Sequence, residues 1–128
     1  MILKAVWYFA NSPEISVLAT QTIENAIANS DAVILSAISI VEIIYLIDKG
    51  KFSQQTLNRS MQYLKLPNSS FLTQNLTEDI AQTLAQIPRS IVPDMPDRIT
   101  AATALHLKLP LITKDSRIRA LQNIKTIW

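Results

Sequence analysis

One core is as much as 128 residues readily supply, and 48% apolar against 17% charged residues can fill it, which excludes a disordered chain. With no cysteine, a disulfide framework, a thiolate zinc site and a cysteine nucleophile are all excluded. The formal net charge of +2 is unevenly divided: residues 89–128 hold seven basic and three acidic side chains, the first 88 five basic and seven acidic. A cationic end is compatible with a nucleic-acid partner and equally with ordinary solvated surface.

The lone glycine, Gly50, disfavours glycine-turned all-β folds and favours helices joined to parallel strands. Ser16 is a plausible N-cap, and Val17, Leu18, Ile23, Ala26 and Ile27 suit the buried face of the helix that follows. Ala32 to Leu35 reads as a short buried strand. Ile40, Val41, Ile43, Ile44 and Ile47 crowd into a strongly apolar helix, with Gly50 suited to its left-handed C′ position. A further helix is expected over Ser53 to Leu64 and a short strand over Ser70 to Thr73. Thr77 caps a helix whose first turn carries Glu78 and Asp79 and which stops before Pro88. Asp97 to Leu107 is helical, Leu111 to Thr113 a compact strand, the stretch after Asp115 another short helix, and Ile124 to Trp128 the last strand.

This alternation predicts an α/β fold, a three-layer α/β/α sandwich with a central, mainly parallel sheet, in a single domain over 1–128. Sites in such sheets form at the carboxyl ends of the strands. The longest apolar stretch, Ala32 to Ile47, is broken by Ser36, Ser39 and Glu42 and falls short of the roughly 20 residues of a membrane span. Since the amino terminus also lacks the pattern of a secretory signal, a cytoplasmic location is expected.

The strand-end rule directs attention to four acids. Glu42 lies within the most apolar helix, where an ionised carboxylate is either paired or metal-bound, or else faces solvent on a narrow stripe. Asp94 suits the cap of the following helix and Asp97 its first turn. Asp115 follows a buried strand, where an acid serves equally as a cap or as part of a ligand crevice. Each acid alone has an ordinary structural explanation.

Their surroundings narrow the reading. Ser36-Ala-Ile-Ser-Ile-Val-Glu42-Ile, Asp94-Met-Pro-Asp-Arg-Ile-Thr-Ala-Ala-Thr-Ala104 and Leu111-Ile-Thr-Lys-Asp115, together with Trp7 and Asn11-Ser-Pro-Glu-Ile-Ser16, resemble in order the PIN-domain family of VapC-like toxin ribonucleases. The resemblance implies a metal-dependent endoribonuclease using Mg²⁺ or Mn²⁺, with Glu42, Asp97 and Asp115 as catalytic metal ligands and Asp94 in support. It also implies an RNA substrate, an antitoxin-like protein partner and a homodimer. Hard divalent ions take oxygen ligands, so an acidic cluster suffices and no histidine base is needed. His106 accordingly reads as a helix-surface or packing residue. Arg98 and Lys114 adjoin site acids, where they would meet phosphate or bridge to those acids.

One departure stands out. The family's first strand ends in Leu-Asp-Thr, whose Asp is a metal ligand, whereas no acid precedes Glu14 here. Aligning on Trp7 places the missing Asp at Met1; taking Ile2-Leu3 as the strand places Lys4 near it. The resemblance therefore leaves a truncated or altered start and a degenerate site open, with part of the first strand missing in the first case. It implies an impaired nuclease as the chain is written. A catalytically inactive module binding RNA or an antitoxin-like protein is the alternative. An unrelated flavodoxin-like domain lacks the glycine-rich phosphate loop it would need.

Overall fold

The computed structural model of the chain describes residues 1–4, 6–9 and 14–128. Asn11, Ser12 and Pro13, part of the family-like pattern, lie outside the described residues. Five parallel strands form the sheet: β1 (Ile2–Leu3), β2 (Val33–Ser36), β3 (Phe71–Gln74), β4 (Leu111–Ile112) and β5 (Thr126–Ile127), in the order β3-β2-β1-β4-β5. Ile2 pairs with Ile34 on one side and Leu111 on the other, and Leu3 pairs with Ile112. The sheet is thus wholly parallel rather than mainly so. The helices are α1 (Val6–Phe9), α2 (Val17–Ala28), α3 (Ala37–Asp48), α4 (Gln54–Lys65), α5 (Glu78–Thr83), α6 (Met95–Leu107) and α7 (Ser116–Arg119); a 3₁₀ turn, Leu84–Gln86, extends α5.

Alternation along the strands sends successive side chains to opposite faces and so divides the core in two. Ile2 and Leu111 pack with Ile80, Ile87, Ala101, Ala104 and Ile118 on one face. Leu3 and Ile112 pack with Phe9, Ala19, Ile23, Leu35 and Phe71 on the other. Leu111 and Ile112 are both fully buried; burial of this kind contributes about 1.5–3 kcal/mol per large aliphatic side chain. Phe9, Tyr63 and Phe71 reinforce the second face, with ring centroids 5.3–5.7 Å apart.

Several local expectations hold. Ser16, Thr77, Asp94 and Asp115 each cap the helix that follows, accepting hydrogen bonds from backbone N–H groups. At the end of α3, Gly50 takes φ 72°. The Gly50 N–H donates to the Ile47 carbonyl and that of Lys51 to Leu46, the paired bonds of a Schellman ending, which a residue with a side chain would make under strain. The α2 face is corrected: Ala19, Ile23 and Ala26 are buried, whereas Val17 and Leu18 are 74% and 53% exposed and Ile27 is also exposed. The buried stripe is narrower than the one periodicity suggested: it keeps Ile23 and Ala26, adds Ala19, and leaves out Val17, Leu18 and Ile27. Arg98 is corrected too, because its guanidinium donates to the Leu84 and Ile87 carbonyls at 2.9–3.2 Å and ties α6 to the 3₁₀ turn. Among the described residues it serves backbone carbonyls rather than a neighbouring acid.

Candidate active site

The chain runs from β1 to β2 and β3 on one side of the sheet and reaches β4 and β5 on the other, so β1 and β4 flank the point where the winding reverses. Ligand crevices in open parallel sheets lie outside the carboxyl ends of such strands. Lys4 follows β1 directly and Asp115 lies three residues beyond β4. Helix α3 leaves the carboxyl end of β2 capped by Ser36, whose Oγ accepts from the Ile38 N–H, and carries Glu42. It packs against α6, which presents Asp97 in its first turn.

Three of the four acids, Asp97, Asp115 and Glu42, act on one cation, and Asp94 stands beside Asp97. The Lys4 Nζ donates a hydrogen bond to Asp97 Oδ1 and stands 4.0 Å from Asp115 Oδ2. Glu42 is within electrostatic reach of Lys4, Asp97, Asp94 and Asp115. Asp94 Oδ2 accepts from the Asp97 N–H at 3.3 Å, so it both caps α6 and fixes the backbone from which Asp97 projects. Thr113 Oγ1 accepts from the Asp115 N–H at 3.1 Å, and Asp115 Oδ1 accepts from the N–H groups of Arg117 and Ile118. Asp115 is therefore oriented at both ends, by its strand and by its helix.

Burial and repulsion leave this cluster under-neutralised. Burial foremost, then the charges of Asp97, Asp94 and Asp115, push the Glu42 carboxyl up to about 7 against the opposing pull of Lys4. Burial also raises Asp97, with Asp115 and Asp94 adding to it, and the Lys4 hydrogen bond only partly offsets them. Burial works to lower the Lys4 ammonium, but Asp97, Glu42 and Asp115 together outweigh it and raise it. An isolated ion pair would shift its partners in opposite directions. Here both rise: burial, with Asp115 and Asp94 adding to it, outweighs the pull of Lys4 on Asp97, and the carboxylates outweigh burial at Lys4.

Three buried side-chain oxygens among the described residues have no hydrogen-bond partner: Glu42 Oε1, Ser39 Oγ and Thr100 Oγ1. Ser39 lies one turn before Glu42 on α3 and Thr100 one turn after Asp97 on α6, so all three belong to the helix pair that carries the acids. Sequence reasoning passed over both hydroxyls, although the three-residue spacing to an acid was readable. It also passed over Thr113.

Glu42 and Asp94 line a cleft of about 410 Å³ with Ile38, Val41, Tyr45 and Met95. Lys4 and Asp115 line a second, of about 360 Å³, with Thr113, Lys114 and Ser116. Glu42 and Asp94 thus open on one of these clefts and Asp115 on the other. A comparably large aromatic hollow at Tyr8, Phe9, Arg59 and Tyr63 shares none of these residues. Lys114 pairs with Glu14 at 2.7 Å rather than with a site acid. His106 is exposed in the last turn of α6, as a surface residue.

In kind, carboxylate and hydroxyl oxygens fit a hard divalent ion, and the unpartnered Glu42 oxygen fits a cation better than it fits the protein interior. In arrangement, no three acids or histidines among the described residues are gathered closely enough to hold an ion as they stand. The Lys4 ammonium stands between two of them, bonded to Asp97 and 4.0 Å from Asp115.

The Glu42 carboxyl gives the folded protein a pH signature. An unfolded chain releases this proton near the ordinary value of 4.5, whereas the folded protein keeps it until about 7. Between those values the folded state binds more protons, so this group's contribution to stability declines as pH rises, and the loss is complete above the folded value. In buffer containing EDTA, Glu42→Gln is expected to exceed wild type in stability at pH 8 by roughly 2 kcal/mol, the figure being reduced for partial solvation. The difference should close toward pH 4.5. Urea denaturation at the two pH values measures it, and a pH-independent difference would dissociate it from Glu42.

No helix among the described residues is long and apolar enough to cross a membrane. A family model of the PIN domain matches residues 5–124. Ribonuclease VapC22 of Mycobacterium tuberculosis is 29% identical over 126 residues, covering 97% of this chain and 92% of that protein. A chain of VapBC2 from Rickettsia felis, solved bound to a DNA fragment from their promoter, superposes with a TM-score of 0.71 at 14% identity over 99% of this chain and 98% of that one. FitAcB from Neisseria gonorrhoeae gives 0.67 at 22% identity over 100% and 97%. With the PIN model spanning nearly the whole length and the fold shared with these structures, the chain belongs to the PIN-domain family and within it is similar to the VapC-like ribonucleases.

Proposed function

We propose that the chain is a VapC-like toxin that hydrolyses RNA phosphodiester bonds with Mg²⁺ or Mn²⁺, using Glu42, Asp97 and Asp115 to hold the metal. The observation that carries this is the excess of carboxylates over the single ammonium at the point where the sheet's winding reverses. When bound, the metal supplies Lewis-acid stabilisation of phosphoryl oxygens and makes water a better nucleophile. Asp94 and Thr113 keep Asp97 and Asp115 aligned through the backbone. Arg117 and Arg119, exposed on α7 beside Asp115, supply positive charge for the phosphodiester chain.

An antitoxin-like protein partner and a cytoplasmic location accompany this reading. So does a homodimer, to which the exposed Val17 and Leu18 on α2 and Val41, Ile44 and Tyr45 on α3 would contribute apolar area. Light scattering that shows only monomer over a wide concentration range would remove the dimer. A second reading, a PIN module that binds RNA or an antitoxin-like protein without cutting, is favoured by Lys4 alone.

The deciding assay is cleavage of a mixed RNA pool across a Mn²⁺ titration, with EDTA and Asp115→Asn protein as controls. Cleavage that needs Mn²⁺ and is lost in Asp115→Asn supports the nuclease. Equal cleavage by Asp115→Asn assigns the activity elsewhere, and RNA or antitoxin binding with no cleavage at any Mn²⁺ concentration favours the second reading.

A further inference from the structure

We infer that Lys4 is a tethered counter-cation that keeps the carboxylate centre closed in the metal-free protein, so that a divalent ion binds only as this ammonium leaves. The inference deepens the metal-site reading above and rests on it. Lys4 is held at the mouth of β1 by the central pairing of Ile2 and Leu3, so its stem has a fixed origin and its head a short reach. Only 16% of its side chain is exposed, and its ammonium contacts Asp97 directly and Asp115 at 4.0 Å. Lysine in such a place is a compact, mobile point charge on a flexible stem, able to leave without moving the backbone.

Three observations converge on a closed state. Glu42 and Asp94 line one cleft, Asp115 lines the other, and Lys4 lines the second. Asp97, the residue Lys4 grips, lines neither of them. Glu42 Oε1 is left without a hydrogen-bond partner, while the Lys4 ammonium bonds Asp97. A cation placed among these acids would be repelled by Lys4 at close range and attracted again once it withdraws.

The test is direct Mn²⁺ binding, read by the loss of free-ion EPR signal, for the full chain as wild type, Lys4→Met, Lys4→Gln and Lys4→Arg. Lys4→Gln can still donate to Asp97 and keeps a folded variant available if Lys4→Met does not fold. Neutral variants are expected to bind Mn²⁺ at least about tenfold more tightly than wild type. Lys4→Arg should bind no better than wild type, which separates charge from size. In EDTA the neutral variants should melt below wild type, and Mn²⁺ should raise their melting temperature more than it raises that of wild type. Wild-type-like Mn²⁺ affinity in both neutral variants overturns the counter-cation while leaving the acids as a metal site. Absence of Mn²⁺ binding in all four proteins and in Lys4→Asp overturns both readings.

Discussion

Lys4→Asp is expected to raise Mn²⁺-dependent RNA cleavage at least about tenfold over wild type, equivalent to about 1.4 kcal/mol in the barrier. The change reverses the sign of charge at the carboxyl end of β1, where the ammonium now contacts Asp97 and approaches Asp115. It therefore removes one competitor for those carboxylates and adds one oxygen ligand of the type hard ions take. Aspartate has the shorter stem, and its position after the buried Ile2-Leu3 pair leaves the strand and its pairing unchanged. Without metal the variant should be less stable than wild type, because an additional carboxylate joins a group already short of positive charge. Initial rates across a Mn²⁺ titration, paired with melting curves in EDTA, test both halves. A cleavage rate no higher than wild type at saturating Mn²⁺ would show that Lys4 does not limit the chemistry.

How far the sequence foretold this arrangement depends on whether the deciding interaction was local. Capping is local: Ser16, Thr77, Asp94 and Asp115 stand immediately before their helices, and each accepts from a backbone N–H within the next three residues. Gly50 was legible for the same reason. The face of α2 was only half legible, since a repeating apolar pattern defines a stripe but the packing of Ala19 and Ile23 on the sheet defines its centre. Glu42 stayed open because periodicity does not report whether a carboxylate oxygen loses water. The fold takes Oε1 out of solvent and leaves Val41 and Ile44 partly in it. For Lys4 two alignments were open, and pairing with strands more than thirty and more than a hundred residues away selected the one that places it at the site. Arg98 and Lys114 had plausible partners next to them in sequence and found others through the fold, at the Leu84 and Ile87 carbonyls and at Glu14. Short-range chemistry was readable; the choice among long-range partners was not.

Asp97→Asn is expected to lower cleavage by about 100-fold, or ~2.7 kcal/mol, in whichever form of the chain cuts RNA. Asp97 is the acid most central to the cluster, since it bonds Lys4 directly, feels Asp115 and Asp94, and receives the Asp94 cap through its own N–H. Asparagine keeps the shape and one acceptor oxygen, so α6 should retain its capped start and Arg98 its carbonyl partners. What disappears is a negative charge, and that bears on metal and ammonium alike. In the wild-type background the variant removes the charge of the carboxylate that Lys4 bonds, leaving Asp115 at 4.0 Å as its remaining ion-pair partner among the described residues. In the Lys4→Asp background no ammonium is present, and the loss falls on metal binding alone. Measuring kcat/KM and Mn²⁺ affinity in both backgrounds separates these effects. A shared loss of cleavage accompanied by weaker Mn²⁺ binding identifies Asp97 as a metal ligand. Unchanged Mn²⁺-dependent cleavage by Asp97→Asn in both backgrounds would remove Asp97 from the centre, and with it the family-derived assignment of the other two acids.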